Sequence, residues 1–126
     1  YFAVGRGPGL GEVLSGRVRL QEAIMEIPGC QGLYLLPVGS REDARDQIFR
    51  FAQVKETLDD PKVSPFDAII LIAPSPNRYA DALALAPQVD GVLIAVDTTD
   101  SDRRDLTAAV ESLQSINATI SGVVAL

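Results

Sequence analysis

Six oxygen-bearing side chains in succession, Asp97, Thr98, Thr99, Asp100, Ser101 and Asp102, make the densest set of potential ligand atoms in the chain. Carboxylates and hydroxyls suit a hard cation such as calcium or magnesium. No glycine bends the stretch and its spacing matches no known cation loop, so a capped turn ahead of a helix is the favoured reading. Ser75 and Asn77 could donate hydrogen bonds to an anion where a helix begins, although Ser and Asn at such positions more commonly cap the helix itself. Asp67 and Asp90 each precede an apolar run, which places them at strand amino ends, facing solvent. Cys30 lies in a PGCQG turn with no basic or histidine neighbour, an environment that does not activate a thiol. The chain has no histidine, so imidazole triads and zinc sites built on imidazole are excluded.

These loops need elements to hold them. Two apolar runs, AIILIA at 68–73 and GVLIAV at 91–96, flank a short helical pattern at 78–86 that ends at Pro87. Six apolar residues without polar alternation predict a strand buried on both faces, and two such strands joined by a helix make a right-handed βαβ unit. Ligands bind such units at the carboxyl ends of the strands, so residues 74–77 and 97–102 come first in any search for chemistry.

The rest of the chain extends the pattern. Residues 1–9 are rich in glycine and proline and predict an irregular lead. Leu10, Val13 and Leu14 give one or two helical turns, stopped by Ser15 and Gly16. A second helix over 19–27 would bury Leu20, Ala23, Ile24 and Ile27. Residues 32–38 read as the first strand, with Pro37 at its end or on an edge. A helix over 41–58, capped by Ser40, carries Ala44, Ile48, Phe51, Ala52 and Val54 inward and stops at Asp59-Asp60-Pro61. The last helix, 102–116, follows Thr98, Thr99, Asp100 and Ser101, any of which could cap it, and buries Leu106, Ala109, Val110, Leu113 and Ile116. Asn117 suits the left-handed position after it, and 119–126 is the closing strand. The alternation predicts one α/β domain over 1–126, with a mainly parallel sheet and helices on both faces.

Composition narrows the function. A chain of 126 residues that is 47% hydrophobic and 22% charged is long enough for one real core. Its net charge of −6 and sequence pI near 4.5 argue against a nucleic-acid partner, because phosphate contacts need concentrated positive charge. A lone cysteine forms no internal disulfide, and a reducing cytosolic compartment is the default. No apolar run reaches the ~18 residues that span a bilayer. The chain starts without Met and stops on a strand-like run, as expected of a fragment of a longer protein.

Five segments, in this order, resemble the cytoplasmic domain of bacterial tyrosine autokinases that act with polysaccharide co-polymerases in capsule and exopolysaccharide export. They are GLGEVLSG (9–16), LYLLPVG (33–39), FDAIILIAPSP (66–76), ADALALAPQVDGVLIAV (80–96) and ISGVVAL (120–126). Partitioning and septum-positioning ATPases share the skeleton, but the first and fourth segments favour the polysaccharide branch. The resemblance covers nearly the whole chain and implies a P-loop NTPase-like fold, bacterial origin, a place at the inner face of the cell membrane, and homo-oligomers. It also implies a partner in the co-polymerase membrane subunit, or a covalently linked membrane part.

The departures from that family pattern carry the functional expectation. No GxxxxGK[ST] phosphate loop occurs in the chain. Where the family has an aspartate at the end of the strand that here reads FDAIILI, this chain has Ile72, whose alkyl group cannot hold a magnesium water shell or polarise a hydroxyl. The family's tyrosine-rich tail has no counterpart, since Tyr1, Tyr34 and Tyr79 are scattered. The chain is therefore expected to be incomplete as a P-loop protein, to have no catalytic, cofactor-binding or metal-binding residues, and to act through protein contacts. ATP and magnesium enter only under the alternative, a fragment of an active autokinase. Asp81 matches a family position from which a carboxylate could reach a ligand or a neighbouring chain, and its plainer role is a first-turn acid favoured by the helix dipole. Arg103 and Arg104 sit where the family also has basic residues. They could touch a neighbouring subunit or merely pair with nearby acids along the helix.

Overall fold

A computed structural model of the chain describes residues 7–39, 54–59, 65–99 and 102–126. The chain divides into two compact units, Tyr1–Phe66 and Asp67–Leu126.

In the first unit, the GLGEVLSG stretch forms α1 (Leu10–Leu14), as the spacing of its apolar residues predicts. A second helix follows, but α2 spans only Leu20–Ala23. Its backbone leaves the helical region at Ile24 (φ −75°, ψ 137°), and β1 (Met25–Glu26) pairs antiparallel with β2 (Tyr34–Leu35). The expected helix over 19–27 is thus cut short by a hairpin. The PGCQG turn is the cause: Gly29 and Gly32 take positive φ (82° and 80°), conformations that glycine adopts without steric cost. The Ile27 amide donates to the Leu33 carbonyl at 2.8 Å and closes the turn. The expected inward face survives the change of backbone, since Leu20, Ala23 and Ile27 are all buried. The strand predicted over 32–38 pairs only at Tyr34–Leu35. Beyond it, the carbonyls of Pro37 and Val38 are taken by α1.

Of the helix predicted over 41–58, α3 (Val54–Asp59) lies among the described residues, with Val54 buried. Ala44, Ile48, Phe51 and Ala52 lie outside them. The rings of Tyr34 and Phe66 meet with centroids 5.3 Å apart, tilted by 53°.

In the second unit, α4 (Asp81–Leu85) starts three residues later than predicted and runs into a 3₁₀ turn, Ala86–Gln88. Pro87 sits in the first turn of that 3₁₀ segment, where its missing N–H leaves no bond unmade. Next come β3 (Val92–Val96), α5 (Arg103–Ser115) and β4 (Ile120–Ala125), with β3 and β4 paired in parallel. The register runs from Val92↔Ile120 to Val96↔Ala125, with an irregularity between Val92 and Leu93. Bonds from Val92 to Thr119 and from Leu126 to Val96, both 2.8 Å, extend the pairing at each end. Helix α5 packs against β4 and buries Ala109 and Leu113, two of the five residues expected to face inward; Leu106, Val110 and Ile116 are half-buried.

The cap of α5 is Asp102, one place after the four residues offered as caps, while the other end is held as the residue type predicts. The Asp102 carboxylate accepts from the Arg104 amide at 3.3 Å. At the other end Asn117 takes φ 57°, its amide donates to the Gln114 carbonyl at 2.9 Å, and the Ala118 amide donates to that of Leu113 at 3.0 Å. This is the paired-bond C-terminal motif in which a left-handed residue satisfies the last carbonyls. A β-branched residue is strained there, so Asn117→Val is expected to lower stability by about 1–2 kcal/mol while Asn117→Gly does not, as read from urea unfolding midpoints.

Residues 68–73 are the main departure from expectation. They lie in no strand, and Ile70 and Ile72 are 87% and 91% exposed rather than buried. A strand buried on both faces needs neighbours at both edges and cover on each side, and among the described residues none pairs with this run. In place of a mainly parallel sheet with helices on both faces, the described residues form a mixed α/β arrangement. It has two two-stranded sheets, one antiparallel and one parallel. Among the described residues no helix is long and apolar enough to cross a membrane.

Candidate functional site

The oxygen-rich loop after β3 resolves into local turn bonds. Asp97 Oδ1 accepts from both the amide and the hydroxyl of Thr99, at 2.9 and 2.6 Å. Thr98 donates its hydroxyl to the Leu126 carbonyl at 3.2 Å, and Asp102 caps α5. Asp100 and Ser101 lie outside the described residues. The carboxylates of Asp97 and Asp102 thus serve the backbone within two residues of themselves, which is the capped-turn reading of this stretch. Among the described residues no three Asp, Glu, Cys or His side chains gather in a metal-holding group.

Ser75 and Asn77 do not cap a helix. The Ser75 carbonyl accepts from the amides of Arg78 and Tyr79, both at 3.1 Å, and its hydroxyl from the Asn77 amide at 3.4 Å, which folds residues 75–79 into a turn. Helix α4 begins later, with Ala80 at its cap and Asp81 as its first residue, half-buried in the position that favours an acid. Asn77 then makes a contact that sequence spacing does not reveal: its Nδ2 donates to the Asp105 carbonyl at 2.8 Å. That bond ties the 75–79 turn to the first turn of α5, so the structure brings Ser75 and Asn77 to the helix end that carries Arg103 and Arg104. Both arginines are exposed and, with Asp102, Thr107, Ala108 and Glu111, line a shallow open depression. Neither guanidinium forms an ion pair with a described acid, so the pairing expected along the helix is not seen there.

Asp67 and Asp90 are exposed, as expected of residues ahead of apolar runs, and Cys30 is exposed in its turn. The clearest electrostatic effect lies elsewhere, at the start of α2. The Arg19 guanidinium donates to the Glu22 carboxylate, which also accepts from the Arg19 amide at 3.3 Å. These bonds hold the Glu22 carboxyl below its ordinary range and the Arg19 guanidinium above its own. Both side chains are exposed, so the pair is screened by solvent and belongs to the surface rather than to a site.

One cluster was not legible as such in the sequence. The Leu10 amide donates to the Pro37 carbonyl at 2.8 Å and the Gly11 amide to the Val38 carbonyl at 3.0 Å, while the Glu12 carboxylate accepts from the Gly9 amide at 2.9 Å. The GLGEVLSG and LYLLPVG segments are therefore joined through their backbones, and the first amide donors of α1 are already satisfied. The only signal for this was the pair of glycines, Gly9 and Gly39, whose closeness nothing local announces.

Taken chemically, the described residues gather no metal-holding group, and the one hydroxyl–carboxylate contact named above, Thr99 with Asp97, belongs to a local turn. The described residues offer a polar turn-and-helix end around Asn77, Arg103 and Arg104, and an uncovered apolar run at 68–73. Compared with protein-family models and with curated protein sequences, the chain matches none.

Proposed function

We propose that this chain is a non-catalytic, kinase-like cytoplasmic module of a bacterial capsule or exopolysaccharide export system, acting through protein contacts at the inner face of the cell membrane. Its partner is the co-polymerase membrane subunit, or a membrane part of its own protein, and it works as a homo-oligomer. The observation that carries the non-catalytic part is Ile72, an alkyl side chain where the resembling kinases place a magnesium-associated carboxylate. The finer fold that belongs to this reading is that of a P-loop NTPase without its phosphate loop. Two features support the kinship. Segments 9–16 and 33–39 are joined by backbone hydrogen bonds, and segments 80–96 and 120–126 contribute the two strands of one parallel pair.

Calorimetric titration of the chain with ATP or ADP in the presence of magnesium tests the proposal. No binding heat is expected; micromolar or tighter binding would remove the non-catalytic reading and favour a nucleotide-dependent autokinase in its place.

A further inference from the structure

We draw no further inference here: the strongest candidate, the exposed apolar run at residues 68–73 that carries Ile70 and Ile72, supports none because nothing in the structure shows what covers it.

Discussion

Gly9→Ala is expected to break the docking of α1 on the segment after β2 and to cost about 3 kcal/mol, one of the two largest single-residue effects in this chain. A Cβ at this position would stand 2.3 Å from the Gly39 nitrogen and 2.3 Å from the Pro37 oxygen. Both are backbone atoms, so no side chain can swing aside to make room. The reason is space alone, because Gly9 is extended (φ −141°, ψ −159°), a conformation open to any residue. Relief requires the two segments to separate, and that breaks the bonds from Leu10 to Pro37 and from Gly11 to Val38. The amides left behind lie beside the buried residues Gly9 and Gly11 and lose partners that water does not fully replace. Urea unfolding should show the lowered midpoint, and hydrogen exchange should show lost protection at Leu10 and Gly11. Gly16→Ala is the internal control. Gly16 has φ 73° with nothing within 4 Å of an added Cβ, so only the backbone preference of about 1–2 kcal/mol is lost. Equal effects from the two substitutions would contradict the close-approach account.

Leu113→Ala should cost about 3 kcal/mol, within the range for removing a buried leucine and leaving a cavity. Leu113 is 2% exposed on the face of α5 that also buries Ala109, and α5 lies against β4. The backbone of Leu113 accepts from Ala118 in the helix-ending motif, a bond that the substitution does not touch. The loss is therefore one of packing, and Leu113→Met, which keeps the volume, should cost less than about 1.5 kcal/mol. Strand β3 pairs with β4 in this unit, so loosening α5 should lower exchange protection in both strands. An unchanged unfolding midpoint in Leu113→Ala would show that the helix is not held by that side chain.

Sequence reading succeeded where the deciding interactions are local. Helix α5 is bounded by a capping aspartate two residues from the amide it accepts and by an asparagine in the left-handed region, and its period of buried residues is long enough to be unambiguous. Asp97 and Asp102 could be read as turn-forming for the same reason: their partners lie two residues away. The reading failed where the outcome depends on distant chain. Residues 68–73 have every attribute of a strand except a neighbour, and a neighbour is not a property of the run itself. The spacing of Leu20, Ala23, Ile24 and Ile27 fits a helix, yet the glycines at 29 and 32 reverse the chain and convert its second half into a hairpin strand. The bond from Asn77 to Asp105 and the approach of Gly9 to Gly39 join residues far apart in sequence. No local pattern announces either of them.

Parallel pairing of β3 with β4 also sets the loop that must close before that region assembles. A hairpin can zip outward from its turn, but two strands running the same way share no turn, and every rung between them spans the whole intervening α5. The first rung must therefore pay the full entropy of closing that loop before any later rung contributes. Helix α5, with both ends capped, can form on its own within about a microsecond and shortens the distance to be closed. A substitution that weakens either cap of α5 is therefore expected to slow refolding as well as to lower stability, as read from stopped-flow refolding rates.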